Sequence, residues 1–297
     1  MPDLDFLSES ARNYLILDTL LILLAIAAFG YFIFFYFNKY KRYKKDNSNV
    51  KDELMLDIAY FSEKGKRQRQ EDSFYISPMD EFAQNGVVVL VSDGMGGLKY
   101  GDEISKFVVD AIRDMHPVKF DDTDGNMAAI RMISKAIYDK YKLSGGATLA
   151  MVHLKEDMMH FYSVGDSNII LVRDGKATIL NPKQTYRTVM IKKLANQGKL
   201  TREAYYNLRS KALIDFIGNS NTRVYNTYTP LRIFDDDTII VSSDGLTDAL
   251  TVNMIPKLIT GGARSTAERI KYGIRNRKLE KQDNYTGVVI KVDRSII

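Results

Sequence analysis

The chain has no cysteine, only three histidines and only six prolines in 297 residues. Without cysteine there is no disulfide framework, no thiolate metal site and no cysteine nucleophile. That composition suits a reducing compartment. The histidines stand apart at 116, 153 and 160, which argues against a His-ligated metal centre. Any metal would have to be held by oxygen, and 37 Asp plus Glu can supply it. The chain does not lack apolar residues: 45% are hydrophobic and 11% aromatic, too many for a disordered chain.

The apolar residues are unevenly spread. In residues 14–37 only Asp18, Thr19 and Gly30 fall outside the hydrophobic set. About 20 such residues span a bilayer, and this run shows no polar face of the kind a soluble helix carries. It is too long for a signal peptide and follows an acidic start. A transmembrane helix is therefore expected at 14–37, after a short outer segment, 1–13. Asp18 near the outer end is within reach of water or headgroups. Lys39, Lys41, Arg42, Lys44 and Lys45 follow directly. Basic residues beside a span mark its cytoplasmic side, so the N-terminus is expected outside and everything after residue 38 in the cytosol. The cluster 39–45 also suits contact with anionic lipid headgroups. Residues 38–52 read as a basic juxtamembrane linker. The formal net charge of +5 is thus largely a topology signal and gives little reason to invoke nucleic acid.

The remainder, 53–297, mixes strands and helices. Strand-like runs occur at 54–61, 73–77, 86–92, 147–154, 160–164, 169–173, 176–180, 238–242 and 285–292, with another at 223–229. Helical spacing appears in Ile104, Phe107, Val108, Ala111 and Ile112, then in Ile130, Ile133, Ile137 and Tyr141, and again over about 266–278. The order predicts an α+β fold with helices packed outside antiparallel sheets. The long polar stretch 183–221 reads as a helical excursion over the surface.

Carboxylates recur at the ends of these strands. Asp93-Gly94, Asp166 and Asp244-Gly245 each close an apolar run; Glu71-Asp72 and Asp283-Asn284 each precede one. A strand followed by Asp-Gly is usually only a turn, and Arg173-Asp174-Gly175-Lys176 reads as such a hairpin. Asp122, Asp124 and Gly125 lack the ligand alternation of a calcium loop. The set is more telling than its members. Carboxylates converging at one sheet end would repel and lose solvation. A divalent cation compensates them, and with no His or Cys it would be Mg2+ or Mn2+. A glycine after the aspartate lets backbone approach closely enough for a carbonyl to coordinate. Two such ions can activate water for attack on phosphorus, and Arg67 is the candidate fork for the phosphate.

In order along the chain, Arg67-Gln-Arg-Gln-Glu71-Asp72, Val91-Ser-Asp93-Gly94-Met95-Gly96-Gly97, Gly101-Asp-Glu-Ile-Ser105, Ser144-Gly-Gly-Ala-Thr148, Val164-Gly-Asp166-Ser167, Ser243-Asp244-Gly245 and Asp283-Asn284-Tyr-Thr286 resemble the motifs of the metal-dependent protein phosphatases of type 2C. The resemblance covers 57–292. It implies a four-layer α-β-β-α sandwich of two antiparallel sheets flanked by helices, here preceded by the expected transmembrane helix. It implies two metal ions, Mn2+ or Mg2+. Asp93 would bridge both and the Gly94 carbonyl would bind one. Glu71, Asp244 and Asp283 would serve the other directly or through water, and Asp72 would order coordinated water. Arg67 would hold the phosphate of a phosphoserine or phosphothreonine protein. Asp166 with Asp244 resembles a weaker third metal site found in many members. Attack would come from a hydroxide bridging the metals, without a phosphoenzyme. The excursion 183–221 would be the variable flap beside the site.

The sequence departs from the family pattern at Gln70 (usually Asn), at Asn168 (usually Arg) and at Gln184-Thr185 (often Asp-His). Asn168 and Gln184-Thr185 bear on flap docking and the third site. Met95 stands where animal enzymes offer a histidine as general acid. A catalytically idle docking domain is the alternative reading, but idle relatives lose metal ligands and here none is missing.

Overall fold

The apolar runs fold as strands whose two faces are both covered, which is why they read as continuous rather than alternating. The computed structural model describes residues 30–31, 53–95 and 99–295, and Leu54–Arg294 form one folded unit. The expected span at 14–37 and the segments 1–13, 38–52 and 39–45 lie outside the described residues, apart from the helical residues 30–31 and from residue 53 onward. Among the described residues no helix is long and apolar enough to cross a membrane.

The strands are β1 (Glu53–Glu63), β2 (Asp72–Ile76), β3 (Val87–Asp93), β4 (Leu149–Lys155), β5 (Met158–Val164), β6 (Asn168–Arg173), β7 (Lys176–Ile179), β8 (Tyr225–Asn226), β9 (Leu231–Arg232), β10 (Thr238–Ser242) and β11 (Tyr285–Ser295). The helices are α1 (Phe82–Asn85), α2 (Gly101–Asp114), α3 (Thr123–Tyr141), α4 (Tyr186–Asn196), α5 (Arg202–Asn207), α6 (Asp244–Ala249) and α7 (Ala263–Asn276), with a 3-10 turn at Val252–Leu258. One sheet has the order β1-β11-β10-β6-β7; the other runs β2-β3-β4-β5-β8, with β9 also on β5. This is the expected pair of antiparallel sheets flanked by helices.

Side-chain alternation along β3 shows the layering. Val87, Val89 and Val91 face the second sheet, meeting Ile169, Ile239, Val241, Val288 and Ile290 between the two. Val88 and Leu90 face the other way, onto Ile104, Val108 and Ile112 of α2 and Ile130 and Ile137 of α3. On the far side, Ile170, Ile240 and Val289 receive Ala267, Ile270 and Ile274 of α7. Each helix buries one stripe at three- and four-residue spacing.

Some boundaries moved for identifiable reasons. The run at 147–154 becomes a strand only from Leu149, because Ala147 bridges Gly94 and Ile217 instead. The run at 223–229 is replaced by two short strands, β8 and β9, separated by Pro230, which has no amide hydrogen to give a ladder. Helix α6 and the 3-10 turn had no clear signal, being too short for a period. The expected hairpin holds: Arg173 pairs with Lys176, and Asp174 and Gly175 both have positive φ, as a two-residue turn requires. Asp122 caps α3, accepting from the Gly125 amide at 2.9 Å.

His153 is fully buried, with Phe120 packed between it and His160. Its Nε2 donates to the Asn85 carbonyl at 2.8 Å, and burial pulls its pKa down to about 4. The unfolded chain therefore binds the proton more tightly, and the stability His153 contributes is lost as pH falls from about 6.5 towards 4. Between pH 7 and pH 5 the wild type should lose about 2 kcal/mol relative to His153→Gln. Parallel urea titrations of the two proteins check this, and identical losses would refute it.

Candidate active site

Strands β2 and β3 end together, with Asp72 paired opposite Asp93. One residue further, the Gly94 amide donates to the Glu71 carbonyl at 3.0 Å. Thr148 clamps Asp93 from the other side. Its amide donates to the Asp93 carbonyl at 2.8 Å, and its hydroxyl accepts from the Asp93 amide at 2.9 Å. The backbone of Asp93 is thereby fixed between two neighbours, and its side chain is delivered at the sheet end.

The second sheet contributes at the same end. Ser243 follows β10 and donates to Asp72 Oδ2 at 2.7 Å, while its Oγ accepts from the Thr286 amide at 3.0 Å. Asp244 follows as the first residue of α6. At the start of β11, the buried Asn284 side chain accepts from the Glu71 amide (2.9 Å) and donates to the carbonyls of Lys64 (2.8 Å) and Arg69 (2.9 Å). It staples down the loop that carries Arg67. Arg67 is exposed and donates to Asp283 Oδ2 at 2.6 Å.

Asp166 lies in the turn between β5 and β6 and is 8% exposed. Gln184 holds that turn. Its Oε1 accepts from the Gly165 amide at 2.5 Å and its Nε2 donates to the Arg223 carbonyl at 2.9 Å. Asn168 is fully buried and donates to the Ser243 carbonyl (3.3 Å) and Thr247 Oγ1 (3.2 Å), joining β6 to the start of α6. Both departures from the family pattern therefore have structural partners. Gln70 also has one, donating to Ser62 Oγ at 2.7 Å.

The electrostatics follow from this convergence. Burial pushes the Asp72 carboxyl up to about 7, although Ser243 and Thr286 act to lower it and Asp244 and Asp283 to raise it. Burial, then the charges of Asp72, Asp244, Asp166 and Asp283, hold Asp93 well above the ordinary carboxylate range. Asp166 is raised to about 7 by burial and by Asp244, with Lys183 and Lys211 opposing. Glu71 is raised by burial, against the pull of Arg67. On the flap side, Lys211 bonds to both Asp244 (3.4 Å) and Asp248. Burial works against its charge, yet the two carboxylates keep its pKa above the usual lysine value.

Such a site carries more carboxylates than the Arg67 and Lys211 cations beside it can offset, and its donor set suits a hard divalent ion. Asp72 Oδ1 is buried without a hydrogen-bond partner, so one oxygen at the centre of the cluster stands unsatisfied. The histidines are engaged away from these residues, His116 with Glu81 and the other two around Phe120. Among the described residues no three His, Asp or Glu side chains are gathered closely enough to enclose an ion. Two of the candidate ligands are engaged by cations, Asp283 by Arg67 and Asp244 by Lys211.

The expected site residues Arg67, Glu71, Asp72, Asp93, Gly94, Asp166, Asp244 and Asp283 lie toward one end of the two sheets, without three of the carboxylates closing on one point. Gly96 and Gly97 lie outside the described residues. Thr148 and Asn284 stood within the quoted motifs, but their clamping roles came only from the fold. Lys211 and Asp248 carried no local signal at all.

A family model described as protein phosphatase 2C matches residues 63–281. The serine/threonine protein phosphatase PstP of Mycobacterium tuberculosis is 26% identical over 209 residues, 67% of this chain and 38% of PstP. This chain therefore spans well under half the length of that relative. A putative protein phosphatase 2C-type of Streptococcus pyogenes serotype M6 is 26% identical over 206 residues, covering 65% of this chain and 80% of that protein. Among solved structures, the S. agalactiae serine/threonine phosphatase superposes with a TM-score of 0.70 at 22% identity, covering 80% of this chain and 100% of that one. The catalytic domain of PstP in complex with 2 manganese ions gives a TM-score of 0.66 at 24% identity, covering 81% of this chain and 99% of that one. Motif order, sandwich architecture and the matched residues agree: this chain belongs to the protein phosphatase 2C family.

Proposed function

We propose that the chain is a metal-dependent phosphatase of phosphoserine and phosphothreonine proteins, anchored in the cell membrane by residues 14–37 with its catalytic domain in the cytoplasm. The observation that carries the reading is the pairing of buried Asp72 with half-buried Asp93, opposite each other at the sheet ends within the field of Asp244, Asp283 and Asp166. Two Mn2+ or Mg2+ ions held there would supply a nucleophilic oxygen at neutral pH and neutralise charge developing on the phosphoryl group.

The chain's own residues then have distinct tasks. Asp93, the Gly94 carbonyl, Glu71, Asp244 and Asp283 would hold the two ions. Asp72, held by Ser243 at 2.7 Å, would orient water with its unsatisfied Oδ1. Arg67 would exchange its Asp283 partner for the substrate phosphate, which its planar fork can grip with two hydrogen bonds. A third ion at Asp166 and Asp244 would have to displace Lys211. The residues 39–45 would rest against anionic headgroups.

The full chain and a chain lacking residues 1–45 should both hydrolyse a phosphothreonine peptide with Mn2+ and stop in excess chelator. Only the full chain should sediment with membranes. Hydrolysis that continues undiminished in chelator would overturn the metal-dependent reading. A chain that binds no Mn2+ in calorimetry would be the idle docking domain instead. Sedimentation of the shortened chain with membranes would overturn the anchor.

A further inference from the structure

We infer that Lys211 is a built-in cation of the flap: its ammonium holds the acidic position where a third divalent ion would bind, and so fixes both the flap and the metal stoichiometry. The inference rests on the two-metal reading for its stoichiometry, but the flap's attachment can be tested without metal.

Between the flap and the site lies a cavity of about 400 Å3. Asp166, Asp244 and Asp248 line its site side, and Lys183, Arg187, Arg209 and Lys211 come from the flap. Only Lys211 among these flap cations makes ion pairs in the structure with the acidic trio, to Asp244 and to Asp248. The Lys211 side chain is 60% exposed, while Asp244 is 14% exposed at its side chain and Asp248 30%, so solvent screens the ammonium but removing it would leave two half-buried carboxylates facing each other.

Backbone pairing at the base of the flap brings Lys211 there. Thr185 bridges Leu213, the Tyr186 amide donates to the Ala212 carbonyl at 2.9 Å and the Ile214 amide to the Gln184 carbonyl at 2.9 Å. These bonds align the end of the flap beside its beginning. Gln184 in turn is fastened to Gly165, next to Asp166. Helices α4 and α5 are joined across the flap by Arg187, whose Nε donates to the Leu208 carbonyl at 2.6 Å. The flap is therefore tied to the metal end through its base at Gln184 and through the Lys211 side chain.

An ammonium already paired with Asp244 and Asp248 opposes a further divalent ion beside them. Solvent weakens that repulsion, because the Lys211 side chain is itself more than half exposed, but leaves its sign unchanged. Lysine brings one charge where a metal brings two, needs no ion from solution, and is covalently part of the flap. It therefore couples the flap's position to Asp244, which also serves the main metal site in the proposed mechanism.

The test uses the full chain in detergent, as wild type, Lys211→Ala and Lys211→Arg, stripped of metal. Mn2+ titration calorimetry should give two ions for the wild type and Lys211→Arg, and three for Lys211→Ala. Amide hydrogen exchange over 186–212 in the metal-free proteins should be about tenfold faster in Lys211→Ala than in the other two. Saturating Mn2+ should slow it again. A wild type that takes three ions would overturn the stoichiometric part, as would a Lys211→Ala protein that still takes two. Equal flap exchange in all three proteins would overturn the attachment. If none of the proteins binds Mn2+, the two-metal reading fails and the stoichiometric part falls with it. Metal-free exchange still decides whether Lys211 holds the flap.

Discussion

Asp93→Asn is expected to lower kcat/KM on a phosphopeptide by at least about 10^3-fold, roughly 4 kcal/mol of transition-state stabilisation. The substitution keeps the shape of the side chain and removes its charge. The backbone of Asp93 is held by Thr148 through two hydrogen bonds, so the strand end should keep its place. The sign for stability is opposite to that for activity. Burial and neighbouring carboxylates raise the folded-state pKa of Asp93, so ionising it at neutral pH destabilises the metal-free fold. The asparagine variant removes that cost. Without metal at pH 7.5 it should therefore unfold at a denaturant concentration equal to or above that of the wild type. Activity measured with Mn2+ and metal-free unfolding by circular dichroism check the two halves. Activity within tenfold of wild type would remove Asp93 from the centre of the mechanism. A variant that is inactive and also much less stable would make its role structural.

Gly94→Ala is expected to cost about 3 kcal/mol or more in stability. A Cβ at Gly94 would stand 2.3 Å from the Gly101 carbonyl oxygen and 2.7 Å from that of Glu71. Both are backbone atoms, so no side chain can swing aside. The Glu71 oxygen is also the one that accepts the Gly94 amide. Relief would have to come from separating β2 and β3 at the point where Asp72 and Asp93 face each other. Gly175→Ala is the control. A Cβ there meets nothing within 4 Å, and only its positive φ of 71° opposes the change, a cost of about 1 kcal/mol. Urea unfolding of both variants compares the two costs. A Gly94→Ala protein as stable as Gly175→Ala would show that the β2–β3 end can open without penalty.

Much of this molecule was determined by its sequence alone. Continuous apolar runs such as Val87–Val91 specified strands covered on both faces, because only burial on both sides accounts for them. The helical stripes of α2, α3 and α7 specified which face of each helix is buried. The carboxylates specified an oxygen-ligand chemistry, since cysteine is absent and the histidines are scattered. The hairpin at Asp174-Gly175 followed from turn chemistry alone.

Tertiary structure decided what depends on residues far apart in the chain. That Asp72 meets Asp93, and that Ser243 bonds Asp72 across 171 positions, is a matter of strand order, which local patterns do not encode. Asn284 looked like the neighbour of a candidate ligand and proved to be the staple of the Arg67 loop, because its amide satisfies three backbone groups at once. Glycine at 94 was expected for the reach of a carbonyl. The fold adds a steric reason, since two backbone oxygens occupy the space a side chain would need. Lys211 was one lysine among many in a polar stretch. Only the return of the flap alongside Gln184 and Thr185 brings its charge onto Asp244 and Asp248. Coulomb attraction there depends on distance in space, to which sequence separation is no guide.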